Sequence, residues 1–195
     1  MHSNIFRALA FLALPLAASC SAVSGPGPTP GTQFDPLNAR PENIAVAIGV
    51  PETFQLRTGD ANLRMSFKGR GAAQAIRLEE TVALRILPNA PGKPAGNAGE
   101  RVYIARVSAG DLDRLARVQA AILDVQATGA KGTGTLSVEV SGGCFVGPVP
   151  DTLSVSSWLQ TDPLDGFVRL TSAADVFAAF DQHTVTMLRD NFTPC

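Results

Sequence analysis

Histidine is nearly missing from this 195-residue chain, where His2 and His183 are the only two. That removes most routes to imidazole acid–base catalysis and to a histidine-built metal site. Trp158 and Tyr103 are the sole residues of their types, and with so little His, Tyr and Trp the composition leans away from an enzyme. An excess of charge of one sign is missing too: 16 Lys and Arg stand against 17 Asp and Glu, so charge makes no case for a nucleic-acid partner. Apolar runs long enough to span a membrane are absent beyond the first twenty residues. No Gly-x-Ser-x-Gly elbow and no Gly-rich phosphate loop ending in Lys-Ser/Thr occurs. No catalytic residue, metal ligand or cofactor can be named from the sequence.

What is present starts at the beginning. Arg7 precedes the apolar stretch Ala8–Leu16, and Ala17-Ala18-Ser19-Cys20 follows. Positive charge, a short greasy core and small residues, in that order, make a secretory signal, and the core is too short for a permanent membrane helix. Behind it, Ser21–Arg40 contains Gly25-Pro26-Gly27-Pro28-Thr29-Pro30-Gly31 and little that is apolar. Such a stretch is an extended tether, with a reach of at most about 70 Å for twenty residues.

The residues before Cys20 resemble the lipobox of bacterial lipoproteins, in which the Cys after small residues is lipidated and becomes the first residue. Ala17 departs from the usual Leu, which stands one step upstream as Leu16. The resemblance covers the signal alone and implies a lipid anchor on Cys20, with Ser21 in place of Asp implying the outer membrane, facing the periplasm. The competing reading is an ordinary signal peptide cleaved nearby, leaving a soluble periplasmic protein. The organisation expected is therefore signal 1–19, anchored tether 20–40 and one globular domain 41–195. Of three cysteines, lipid on Cys20 leaves Cys144 and Cys195 as a pair, which in an oxidising compartment is expected to bond. That bridge closes a ring of about 50 residues, worth about 4 kcal/mol on a chain-entropy basis.

Beyond the tether the pattern alternates with period two. Ile44, Val46, Ile48 and Val50 begin it, and Phe54 and Leu56 continue. Leu63, Met65 and Phe67 then alternate with Arg64, Ser66 and Lys68, and Ile76–Ile86 follows. Pro88–Gly99 reads as a mobile loop. Arg101–Val107 reads as a central strand, apolar on both faces. Ser108 opens a helix by the capping signature Ser-x-x-Asp, carrying Leu112, Leu115, Val118, Ile122 and Val125 on one stripe. Strands follow at 136–140, 153–160 and 167–170, with a turn at Asp162–Gly166. A second helix is expected from Ser172 through Val176, Phe177 and Phe180, with His183 at helical spacing beyond as a packed or capping residue. Arg106–Leu112 and Arg169–Val176 are similar strand-to-helix passages, a similarity that convergence on helix-start chemistry explains. Strands, helix, strands, helix point to an α+β fold with a largely antiparallel sheet and two helices packed on one face.

Three clusters invite a functional reading. Arg57, Arg64, Lys68, Arg70 and Arg77 face only Asp60 in the window they span, and mark a basic sheet face for an envelope protein or an anionic glycan or lipid. The bland counterpart is a solvated face that discourages edge pairing. Glu80 falls on the apolar side of an unbroken strand 76–86; a bulge at Glu80-Thr81 is the expected solution, and an inward Glu80 paired with an Arg the alternative. Ser141-Gly142-Gly143-Cys144 reads as a strand bulge or turn, not a thiol nucleophile. The function expected is a lipid-anchored, non-catalytic binding or assembly module of the envelope. The alternative is a periplasmic hydrolase acting on glycan through two carboxylates at a defined separation of roughly 5–10 Å.

Overall fold

The alternating segments fold as strands because each buries its odd or even side chains against one shared core. The computed structural model describes residues 35–71 and 74–195. The signal, Cys20 and most of the tether lie outside the described residues. The elements run β1 (Ala45–Pro51), β2 (Phe54–Gln55), β3 (Ala61–Arg70), β4 (Ala75–Leu87), β5 (Glu100–Val107), α1 (Leu112–Ala127), β6 (Lys131–Val140), β7 (Cys144–Phe145), β8 (Ser154–Gln160), β9 (Val168–Asp175), α2 (Gln182–Asn191) and β10 (Thr193–Pro194).

Seven strands make one sheet in the order β6-β3-β4-β5-β1-β8-β9, and every neighbouring pair is antiparallel. With two helices, this is the α+β architecture expected from the sequence. The long strand β4 shapes it. Its residues 75–83 pair with β3, while 84–87 pair with β5. One strand thus joins a three-stranded wing (β6-β3-β4) to the central strands, and the sheet curls into a half-barrel.

The main core lies on one face. Val46, Ile48 and Val50 of β1 meet Leu63, Met65 and Phe67 of β3 and Val82 and Leu84 of β4. Leu115, Val118 and Ile122, the stripe expected on α1, close over them, and Val185 and Leu188 of α2 join the same cluster. Both helices therefore serve one face, as expected. A smaller cluster, Ala47, Val102, Ile104 and Trp158, sits on the opposite face of the central strands. In the wing, Gly69 of β3 lies directly across from Gly132 of β6. A Cβ on either would come within 2.6 Å of the Phe67 ring, so the two glycines leave room for that ring to lie across both strands.

A small second sheet, β10-β7-β2, packs Phe54, Phe145 and Phe192 together with ring centroids 4.6–5.9 Å apart. Cys144 and Cys195 are bonded across it, their Cα atoms 5.1 Å apart, which is the pairing the cysteine count implied. Gly143 has φ +134°, and a Cβ there would strike the Phe54 ring at 2.3 Å. The double glycine before Cys144 is thus a packing requirement.

Several expectations are corrected. The second helix does not begin near Ser172. β9 continues to Asp175 because β8 offers a pairing edge, with Ser157 and Thr171 hydroxyls 2.8 Å apart. Asp175 uses its carboxylate on the Leu153 and Phe177 amides instead of capping an α-helix. The helix starts ten residues later at Gln182, capped by Asp181, whose carboxylate accepts from the Thr184 amide. His183 is accordingly an exposed residue of the first turn, off any apolar stripe shared with Phe177. The likeness between 106–112 and 169–176 ends with β9, since only the first passage leads into a helix. Ser108 makes no capping bond with its side chain; a short turn at Ala109–Asp111 intervenes before α1. Residues 35–40, counted with the tether, are folded onto α1: the Gln119 side chain donates to the Pro36 and Ala39 carbonyls at 2.7 and 2.9 Å. The loop Pro88–Gly99, expected to be mobile, is pinned at its second half by Asn97 and Glu100.

Candidate functional site

Of the five cations expected on one basic face, Arg64, Lys68, Arg70 and Arg77 share the outer face of the β6-β3-β4 wing, and Arg57 does not. β3 runs between β4 and β6, so Arg64 on its outer face reaches a carboxylate on either side: Glu79 at 2.6 Å and Glu139 at 3.3 Å. The hydrogen bond that Arg64 donates to Glu79 is the main reason the Arg64 pKa is raised, and the same bond holds the Glu79 carboxyl below its ordinary value. Arg77 joins the same Glu79 at 3.3 Å. The centre of the expected patch is therefore a neutralised ladder of cross-strand pairs. Lys68 and Arg70 stay exposed near the far end of the wing, where Lys68 lies opposite Arg77 and Arg70 opposite Lys131. Arg57 belongs to neither group. It follows β2, its amide donates to Asp60, and its guanidinium lies 3.5 Å from the Cys144 sulfur.

Glu80 takes the alternative rather than the expected course. β4 passes through it unbroken, Glu80 opposite the buried Met65. Its carboxylate meets Arg114 of α1 at 2.5 Å, and the same guanidinium bonds Asp111 at 2.7 Å and the Thr81 carbonyl at 3.1 Å. Asp111 also accepts from the Ala83 amide, the largest cause of its lowered pKa. This Glu80–Arg114–Asp111 arrangement clamps α1 to β4. Every group in it has a partner, which is the signature of a structural device.

A third polar cluster sits beside Trp158. Burial pushes the Glu100 carboxyl upward, but the Asn97 amide at 2.8 Å, the Ser156 hydroxyl at 2.7 Å and the Asn97 side chain at 3.1 Å outweigh it, and its pKa is lowered overall. Arg169 lies over the Trp158 ring, 4.6 Å from its centroid. This network ties the 88–99 loop down onto the smaller core.

Three cations outside the described ion pairs line a cleft away from the wing. Between the β2–β3 connection and the start of the β4–β5 loop is an open cleft of about 450 Å³, lined by Arg57, Lys93 and Arg101, with Tyr103, and by no Asp or Glu. Arg101 and Tyr103 alternate on one face of β5, opposite Val50 and Ile48 of β1. The β2–β3 connection is fixed to β4: the Ile86 amide donates to the Thr58 hydroxyl, and the Gly59 amide to the Leu84 carbonyl. The half-buried Ile86 and Leu87 give the cleft its apolar lining; Leu56 and Val102 border it but are buried, Val102 within the smaller core of the opposite face. Among the described residues, none of its three cations is in an ion pair. Positive charge facing an apolar wall without a compensating carboxylate suits an anionic guest.

Of the sequence-derived site residues, the structure thus brings only Arg57 to this cleft; Arg64 and Arg77 are paired on the wing, and Lys68 and Arg70 lie at its tip. Sequence reasoning missed Lys93, Arg101 and Tyr103. Lys93 was submerged in a Pro/Gly loop, and Arg101–Val107 was read as apolar on both faces, although Arg101 and Tyr103 stand two apart on one of them. Among the described residues no group of three or more His, Cys, Asp or Glu is placed to hold a metal ion, and no helix is long and apolar enough to cross a membrane. The chain matches no protein-family model, no curated protein and no solved structure.

Proposed function

We propose that this chain is an exported protein of the bacterial envelope, held at the outer membrane by lipid on Cys20 and facing the periplasm. Its folded domain acts as a binding or assembly module. The observation that carries the reading is the Cys144–Cys195 bond. A disulfide fits an oxidising compartment, agrees with the secretory pattern of the first nineteen residues, and leaves Cys20 as the one cysteine outside that bond. The cationic cleft supports an anionic ligand over a neutral one. Glycan hydrolysis by paired carboxylates is the weaker reading: among the described residues Glu79 and Glu139 are engaged by Arg64, Glu80 and Asp111 by Arg114, and the lining of the cleft includes neither Asp nor Glu.

Two measurements test the proposal. Mass spectrometry of the exported protein is expected to show an amino-terminal Cys20 carrying acyl chains, and Cys20→Ala is expected to move the protein into the soluble periplasmic fraction. An unmodified mature terminus downstream of Cys20 would overturn the anchor. In-cell crosslinking of the tagged chain, with Cys20→Ala as control, is expected to capture one discrete envelope component that the control loses. A robust hydrolytic activity on envelope glycan, abolished by a single Asp or Glu substitution that leaves the fold intact, would overturn the module.

A further inference from the structure

Three cations converging on an apolar wall define a narrower ligand class than charge alone. A small hydrophilic oxyanion would satisfy Arg57, Lys93 and Arg101 but leave the exposed parts of Ile86 and Leu87 facing water. A purely apolar guest would leave the three cations desolvated without partners, which is costly. At about 450 Å³ the cleft is within the usual range for organic ligands and larger than one inorganic phosphate needs. A phosphate monoester presents close to two negative charges and three strong acceptor oxygens, and so can engage more than one guanidinium or ammonium group at once. The Tyr103 hydroxyl supplies a further donor on the same wall. The carboxylates closest along the chain are engaged elsewhere: Asp60 accepts from the Arg57 amide, and Glu100 accepts from Asn97 and Ser156.

We propose that this cleft binds the phosphoryl headgroup of an anionic amphiphile, with the phosphate held by Arg57, Lys93 and Arg101 and the first part of the apolar stem laid along Ile86 and Leu87. The proposal rests on the binding-module reading and names its ligand. The tether makes it geometrically sound. Fourteen residues, 21–34, separate Cys20 from Asp35, where the described fold begins, and they reach at most about 50 Å. A domain so held stays close to a bilayer that carries such headgroups.

The test uses the full chain, exported with Cys20→Ser so that no anchor lipid competes. Calorimetric titration is run with three probes: dihexanoyl phosphatidic acid below its micellar concentration, dihexanoyl phosphatidylcholine, and inorganic phosphate. Saturable binding of phosphatidic acid at one site is expected, weakened about tenfold or more in Lys93→Gln/Arg101→Gln and weakened by added salt. The wing-tip variant Lys68→Gln/Arg70→Gln is expected to bind as the parent does. Melting temperatures of both variants, whose altered residues are exposed, establish that the fold is unchanged. Undetectable binding of phosphatidic acid overturns the proposal, as does equal binding in the Lys93/Arg101 variant. Equal affinity for phosphatidylcholine also overturns it. Inorganic phosphate binding as tightly as phosphatidic acid removes the amphiphile and leaves a free-phosphate site. A failed titration alongside a captured envelope component would strike the ligand class and leave the module reading standing.

Discussion

The outer face of the β6-β3-β4 wing and the cleft beside β5 both gather arginine and lysine, yet they carry opposite messages. On the wing, β4 and β6 bring Glu79 and Glu139 to either side of Arg64, so the charge at its centre is consumed within the sheet while Lys68 and Arg70 stay exposed at its tip. In the cleft, Arg57, Lys93 and Arg101 come from a connection, a loop and a strand start, and none brings a carboxylate with it. Cations on strand interiors are set against whatever the register places opposite. Cations on connections escape that register and can be left for a ligand. Position in the topology, more than density along the chain, decides which charges are available.

The two regions should come apart under perturbation. The largest effect is expected at the cleft's end of the molecule, where Cys144→Ser/Cys195→Ser should cost about 4 kcal/mol in urea denaturation. Hydrogen exchange should quicken in β2, β7 and β10 while β3 and β6 keep their protection; uniform loss across the molecule would show that the two regions do not behave separately. Phe67→Ala is the matching break in the wing. Phe67 is 1% exposed and lies across Gly69 and Gly132, so about 3 kcal/mol should be lost, with protection falling in β3 and β6 instead.

Arg64→Gln against Arg101→Gln sharpens the comparison with one chemical change. The first strips a shared cation from two carboxylates and should cost about 1 kcal/mol. The second removes no described ion pair and should stay within about 0.5 kcal/mol. Equal losses would contradict the distinction between spent and available charge. The smallest effect is in pH dependence. Glu79 has its pKa lowered, chiefly by the Arg64 hydrogen bond, so its contribution is complete above the ordinary Glu value and is lost as pH falls through the lowered folded-state value. Acid titration of stability should therefore be shallower in Arg64→Gln below that ordinary value, while Arg101→Gln should follow the parent curve.

Much of the fold was legible in the sequence because its signals are local. Leu63, Met65 and Phe67 alternate within six residues, and Leu115, Val118 and Ile122 mark the buried stripe of α1. Segment 169–180 was misread for the opposite reason. Ser172-x-x-Asp175 carries a helix-start signature, but the unpaired edge of β8 outbid it, and propensity yields to tertiary pairing. Glu80 was legible as a conflict and not as a solution: its partner Arg114 stands 34 positions away, on an element whose docking the strand pattern does not reveal. The candidate site was the least legible part, since Arg57, Lys93 and Arg101 share no periodicity.

The sequence by itself determined the period of each strand, the buried face of α1, and, through three cysteines, which two could bond. It also carries the export pattern that leads to Cys20. Only the tertiary structure decided that Arg64 is spent on Glu79 and Glu139, the latter 75 positions away, that Glu80 faces inward against Arg114, and that three scattered cations line one cleft. The physical reason is range. Burial periodicity is written by a residue's near neighbours along the chain, whereas the worth of a charge depends on what lies within a few ångströms of it, and that is set by strand register and loop path across distant segments.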